Sequence, residues 1–210
     1  MTANKRQKAQ DALFAVFAST ARVAVLRVFV LDPVRTYYQR QIESATALPI
    51  RAVQRELERF AQVGLLYRRS EGNRAYYQVD TQFDLFPELR QIFLKMAEPV
   101  DRLRGLLAVE PTVRMVFLNE GEGRVLVVTS GGEEPEIEGP QPYAIGTMGI
   151  GTMAIETMSL QEFARVLSED PERLEPFLAR GVDLLGRRED VIWRRIEASG
   201  YSVKKGKGVP

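Results

Sequence analysis

The stretch Pro49–Gly64, PIRAVQRELERFAQVG, has two chemically distinct sides. Ile50, Val53, Leu57, Phe60 and Ala61 recur at helical spacing along one of them. Arg51, Gln54, Arg55, Glu58 and Gln62 occupy the other, so the spacing predicts an amphipathic helix. Pro49 suits the first turn, where a missing backbone donor costs nothing, and Gly64 suits the left-handed position past the end. Upstream, Tyr38–Thr46 reads as a shorter helix sending Ile42 and Ala45 toward a core, with Ala47-Leu48-Pro49 as the turn. Downstream, Leu65–Ser70 and Arg74–Val79 have the aromatic and aliphatic content of strands. Glu71-Gly72-Asn73 joins them, with Gly and Asn tolerant of the positive φ of a tight hairpin. Helix, turn, helix and two-stranded wing therefore span Thr36–Val79. Basic residues placed on the outward side favour duplex DNA as the ligand over a generic α+β unit with one amphipathic helix.

Toward the N-terminus, Asn4–Val16 reads as a helix with a basic start that carries Leu13, Phe14, Val16 and Phe17. Ser19 or Thr20 then caps a second helix, Ala21–Leu31, with Val23, Leu26, Val28, Phe29 and Val30 largely buried. Asp32-Pro33 ends it, and Arg35–Tyr38 reads as a short strand that pairs with the wing.

Three segments carry a resemblance to a known family: LFAVFASTARVAVLRVFVLDP (13–33), VQRELERFAQVGLL (53–66) and EGNRAYYQV (71–79). Together they resemble the winged-helix domain of the arsenic-repressor-like (ArsR) regulators. The branch they are most similar to places that domain ahead of a minimal nucleotidyltransferase-like domain. The shared pattern is F-x-S-x-A-R at a helix start, V-Q-R-E-L in the reading helix and E-G-N-R-x-Y-Y in the wing. Metal sensing in the wider family uses Cys and His, and this chain contains neither. The same lack removes disulfides, cysteine nucleophiles and imidazole bases, and leaves only carboxylates as metal ligands. No cofactor motif and no metal-ligand set is expected.

With 45% hydrophobic and 27% charged residues, the 210-residue chain has the make-up of a globular protein of one or two domains. No apolar run reaches the length of a membrane span, and the N-terminus lacks the apolar centre of a signal peptide, so the expected location is the cytoplasm without a membrane partner. The charge is divided unevenly. Residues 1–80 hold 13 Lys+Arg against 7 Asp+Glu, and the rest hold 16 against 21, a front of +6 and a rear of −5. A basic front and acidic rear fit a DNA-binding domain joined to a second module.

Past a polar connector, Phe86–Val109 reads as one long helix. Leu89, Phe93, Met96, Val100, Leu103 and Leu107 alternate spacings of four and three, a heptad seam expected to join two copies as a homodimer, although Pro99 should kink or divide the helix. The alternative use of that seam is packing against the winged helix of the same chain. Glu110-Pro111 marks a boundary. Thr112–Leu118 and Arg124–Ser130 read as strands joined by Asn119–Gly123. An acidic Gly/Pro-rich stretch follows (131–141), and then Thr-Met pairs recur every five residues at 147, 152 and 157. These pairs read as two extended segments around Gly149-Ile150-Gly151. The glycine-rich run 146–151 is not a phosphate-binding loop. Ser159-Leu160-Gln161-Glu162 is a capping box opening the helix Leu160–Leu167. Further helices are expected at Pro171–Arg180 and Glu189–Ala198, and a short strand at Val182–Leu185. Lys204, Lys205 and Lys207 read as a disordered basic tail.

The resemblance implies that an active rear domain would carry Gly-Ser at the end of its first strand and Asp-x-Asp at the start of its second, to hold magnesium on nucleotide phosphates. This chain has Leu118-Asn119-Glu120 and Gly121-Glu122-Gly123 there, so no catalytic residue is assigned. Met115, Phe117, Leu126 and Val128 are expected to pack against helices around Phe163, Leu174 and Trp193. The reading is an α+β chain in four parts: a winged helix-turn-helix (1–84), a linking helix (85–109), a degenerate nucleotidyltransferase-like domain (110–203) and a tail (204–210). Its expected role is sequence-specific transcriptional regulation. Arg51, Gln54 and Arg55 would read bases, Gln39 and Arg40 would meet phosphates, and Arg68, Arg69, Asn73 and Arg74 would place the wing on the flanking backbone. A small-molecule or protein effector would act on the rear domain. Two other readings stand beside this one: a magnesium-dependent nucleotidyl- or adenylyl-transferase using Glu120 and Glu122, and a protein-interaction module.

Overall fold

A helix that is apolar around most of its circumference has to be enclosed by others, and α1 (Thr20–Leu31), with Arg22 and Arg27 as its only charged residues, is such a helix. Ala21, Val23, Val25, Leu26, Val28, Phe29, Val30 and Leu31 are all buried in the computed structural model. The structure describes residues 11–12, 15–131, 153–188 and 191–210. Several expectations lie outside these residues: the opening of the N-terminal helix with Leu13 and Phe14, most of the Gly/Pro-rich stretch, the glycine run, and Thr147, Met148 and Thr152. The chain is a mixed α+β protein that divides into two units between Val109 and Glu110.

In the first unit, Ser19 caps α1 by accepting the N–H of Arg22 at 3.1 Å. Four of its residues are valines, which lose side-chain freedom in a helix, so packing rather than propensity sustains it. Packed on α1 are α2 (Gln39–Thr46), α3 (Ile50–Gln62), α4 (Phe86–Met96) and α5 (Pro99–Leu107). The turn from α2 to α3 passes through Ala47 at φ +54, a left-handed conformation that a side chain resists. Gly64, at φ +79, takes the chain away from the end of α3.

Strands β1 (Tyr37–Tyr38), β2 (Leu66–Glu71) and β3 (Arg74–Val79) form an antiparallel sheet in the order β1-β3-β2. Only two residues long, β1 nonetheless sets Tyr37 opposite Tyr77 and Tyr38 opposite Tyr76. Strand alternation sends Tyr37 inward, edge-on to Phe29 at 5.5 Å. Burial, and after it the Asp32 carboxylate, push its phenol well above the usual value. The β2–β3 hairpin closes on Gly72-Asn73, with Gly72 alone at positive φ, +55.

The expected long helix is two helices. Glu98, just before Pro99, is extended at ψ 153, as the clash with a following proline ring requires. The heptad seam packs largely within the chain, the alternative use that its spacing allowed. Phe93, Leu103 and Leu107 are buried within one chain, Leu89 and Met96 pack against the core around α1, and Val100 is half-buried. Gly105 permits the close approach: a Cβ there would lie 2.8 Å from Leu94 Cδ2 and 2.9 Å from Leu31 Cδ2. The Arg27–Asp101 ion pair at 2.7 Å and the Arg90 Nη2 bond to the Gly105 carbonyl at 2.8 Å fasten α5 in place. Heptad spacing marks a helix with one apolar stripe, and here a neighbouring helix of the same chain uses that stripe.

The second unit is a five-stranded mixed sheet. Its elements are β4 (Val113–Asn119), β5 (Arg124–Thr129), β6 (Ala154–Ser159), α6 (Leu160–Glu169), α7 (Glu175–Leu178), β7 (Val182–Asp183), α8 (Val191–Ala198) and β8 (Lys204–Lys205), and the strand order is β6-β5-β4-β7-β8. The inner pairs are antiparallel, while β6 on β5 and β8 on β7 are parallel. Met115, Phe117, Leu126 and Val128 share a core with Phe163, Leu174 and Trp193, as the sequence led us to expect. Phe117 stacks on Phe163 at 5.9 Å. Ser159 caps α6 by accepting the Glu162 N–H at 3.0 Å.

Two expectations fail in this unit. Pro171–Arg180 is not one helix: Pro171–Leu174 is a 3-10 turn, and α7 begins afresh with Pro176 at its second position, where the absent N–H breaks no helical bond. The basic end is not a disordered tail either. Lys204 and Lys205 add an edge strand to Val182 and Asp183, and Gly206 N–H bonds the Asp183 carbonyl at 2.8 Å. Lysine side chains remain exposed on such a strand, because pairing is a property of the backbone. Among the described residues, no helix is long and apolar enough to cross a membrane.

Candidate nucleic-acid interface

The periodicity that buries Val53, Leu57 and Phe60 of α3 leaves Arg51, Arg55 and Glu58 exposed on the opposite side. Arg55 keeps 66% of its side-chain surface open to solvent. Gln54 is half-buried and its Nε2 donates to Gln39 Oε1 at 3.4 Å, so the outward side of α3 and the start of α2 form one continuous surface. Arg40, next along α2, is exposed. The residues expected to read bases and two of those expected to meet phosphates thus belong to one patch.

On the hairpin, Arg68, Arg69, Asn73 and Arg74 are all exposed. Arg69 pairs with Glu71 at 3.2 Å. Arg69 and Arg74 lie on the outward side of the sheet, each over a tyrosine ring. Between Arg35 and Val79 the chain has eight arginines, four glutamates and no lysine. Arginine is the cation suited to forked contacts with phosphate and with guanine edges.

The sequence reading offers Glu56 or Glu58 as a partner for Arg59, and the structure selects Glu56 and buries it. It is 1% exposed, on the buried side of α3. Its carboxylate accepts from Arg59 Nη1 at 2.8 and 2.9 Å and from Arg22 Nε at 3.2 Å. Arg22 also donates to the Phe17 carbonyl at 2.8 Å. A buried charge with these partners fixes the rotation of α3 about its own axis and ties it to the start of α1. The clue was available in the periodicity, since position 56 falls three after Val53 and four before Phe60. A glutamate there must bring its own cations, and Arg59 is one turn away.

Among the described residues of the second unit, no comparable surface of exposed arginines is found. Asn119, at the end of β4, closes a turn: its Oδ1 accepts from Glu122 N–H at 3.1 Å, and its Nδ2 donates to the Pro176 carbonyl at 2.8 Å. The Glu122 carboxylate lies between Arg124 at 3.2 Å and Arg180 at 3.3 Å. Arg124 also bonds Glu156 at 2.7 Å and lies over the Phe177 ring at 4.9 Å. The hydrogen bond to Glu156 is the main cause that raises its pKa above the usual value. Among the described residues, no group of three or more acidic side chains is placed to hold a metal. A cleft of about 340 Å³ lies beside Trp193 and Tyr201. Its one arginine, Arg188, is held by Asp183 at 3.1 Å and by the Val203 carbonyl at 2.7 Å.

Replacing Glu56 with Gln removes the buried charge and sets an amide NH2 donor against guanidinium donors. It should lower unfolding stability by about 1–3 kcal/mol in urea. Glu58→Gln, on the exposed side, should stay within about 0.5 kcal/mol of the parent. Equal effects from the two would show that Glu56 does not anchor α3. No protein-family model, no curated protein and no solved structure matches this chain.

Proposed function

We propose that the first unit is a winged helix-turn-helix that binds duplex DNA in a sequence-specific manner, and that the protein regulates transcription in the cytoplasm. The observation that carries this reading is the joined surface of α3 and the start of α2, where Arg51, Gln54 and Arg55 lie beside Gln39 and Arg40. On this reading α3 enters the major groove. Arg51 and Arg55 bond guanine O6 and N7, and Gln54 addresses adenine. Arg68, Arg69 and Arg74 then reach the flanking backbone. The family resemblance of the front segments and the +6 charge of residues 1–80 support the same conclusion.

The test begins with selection of bound sites from a random duplex library, followed by anisotropy titrations on the preferred site and a scrambled one. Arg55→Ala should cost about 1–3 kcal/mol on the preferred site and relax base preference at one position. Because Arg55 is exposed and its contact with Glu56 is long at 3.7 Å, the variant should unfold within about 0.5 kcal/mol of the parent in urea. If Arg55→Ala discriminates between sites as the parent does, α3 does not read bases through this residue.

The second unit, on our reading, is a nucleotidyltransferase-like domain without catalysis, free to bind an effector. The support is local: Glu122 is taken up by two guanidinium groups, so Glu120 and Glu122 do not form a pair open to a metal. Two-carboxylate metal catalysis needs both ligands free and fixed. Incubation with labelled nucleoside triphosphates and magnesium should give no transfer or hydrolysis. Activity in the parent that disappears in Glu120→Gln/Glu122→Gln would overturn this part of the reading.

A further inference from the structure

On the outward side of the three-stranded sheet, cross-strand neighbours line up as Tyr38, Tyr76 and Arg69, one from each strand. The two rings meet edge to face with centroids 6.2 Å apart. The Arg74 guanidinium lies over the Tyr38 ring at 5.3 Å, and that of Arg69 over the Tyr76 ring at 5.9 Å. Both rings are half-buried, while both arginines are exposed. Neither ring is needed for the core, which the inward residues Tyr37, Tyr77 and Val79 complete. Each ring face instead carries one guanidinium.

An arginine free in solvent samples many rotamers and loses that freedom when it grips an anion. A ring face beneath the guanidinium narrows the choice beforehand and leaves the edge N–H groups pointing outward. In the hairpin register Arg69 faces Tyr76, and Arg74 faces Glu71 two positions along. The two arginines are therefore diagonal neighbours, about 7–8 Å apart at the backbone, within reach of successive phosphates of one strand. The nearest opposing charge is Glu71, 3.2 Å from Arg69 and 66% exposed. An exposed pair of this kind is weak and gives way to a phosphate.

We propose that Tyr38 and Tyr76 are positioning residues that hold Arg74 and Arg69 as a two-pronged grip on the sugar-phosphate backbone of duplex DNA. The inference rests on the duplex-binding reading and extends it to two residues that contact neither base nor phosphate. It makes the sheet surface, as well as the hairpin tip, part of the interface. It also pairs each ring with one arginine only.

The test is a pair of double-mutant cycles on the full-length protein, read as Kd for a random-sequence duplex over a range of salt. Tyr38→Leu and Tyr76→Leu should each weaken binding about two- to five-fold, the range that an exposed cation–π contact corresponds to. Tyr38→Phe and Tyr76→Phe, which keep the ring, should bind as the parent does. The leucine variants keep both cations, so their salt slope should match the parent, whereas Arg69→Ala and Arg74→Ala should each flatten it by about one unit. Tyr38→Leu should add nothing in the Arg74→Ala background but its full effect in Arg69→Ala, and Tyr76→Leu the reverse. Leucine variants that bind like the parent overturn the proposal. So do leucine variants that lose affinity equally in both arginine backgrounds, since the rings would then act through the fold. A parent that shows no duplex binding overturns the proposal and the duplex-binding reading together, whereas the first two outcomes leave that reading standing.

Discussion

Enclosure of α1 is the constraint on which the first unit depends. Eight of its twelve residues are buried, and four other helices must surround it to keep those side chains from water. Each fully buried Leu, Val or Phe is worth about 1.5–3 kcal/mol relative to exposure, more than any local preference for helix among its valines. The consequence extends to the surface. Once α3 is committed by Val53, Leu57 and Phe60 to one side of α1, its other side must face outward, and the arginines there become available for binding.

Burial fixes which side of α3 faces inward, but apolar contacts alone tolerate small rotations. The Glu56 carboxylate, between Arg22 of α1 and Arg59 one turn farther along α3, is directional in a way that hydrophobic contact is not. It sets Arg51 and Arg55 at a defined angle relative to Gln39. The surface proposed for binding is thus held from beneath by one buried charge, which also lies 3.7 Å from the exposed Arg55.

The parts of this protein legible in the sequence are those where one local rule dominates. The amphipathic spacing of α3, the Ser19 and Ser159 caps, the Gly72-Asn73 turn and the pairing of Tyr37–Tyr38 with the hairpin all follow from local pattern. What was not legible depends on which of several partners a pattern finds. The Leu89–Leu107 seam has the spacing of an intermolecular contact, yet Phe93, Leu103 and Leu107 find their partners within one chain. Lys204-Lys205 has the composition of a loose end, and pairs because the edge formed by Val182-Asp183 is open to any backbone. Glu56 looks like a surface residue by type and becomes structural through Arg22, thirty-four positions away. Of the proposed interface, the exposed arginines could be read from charge and period. The Tyr38 ring beneath Arg74 could not, because it comes from a separate strand, whereas the pairing of Arg69 with Tyr76 follows from the hairpin register.

The central claim is that the arginines of the first unit form a surface for the DNA backbone, and the salt dependence of the parent protein tests it most directly. Arg40, Arg68, Arg69 and Arg74 are the four cations assigned to phosphates. Neutralising about four phosphates gives a slope near −3.6 in log affinity against log salt on a random-sequence duplex, or about a hundred-fold loss between 50 and 200 mM salt. A slope in that range is the result the account predicts. Binding that does not change with salt, or no binding of duplex DNA at 50 mM salt, would contradict it.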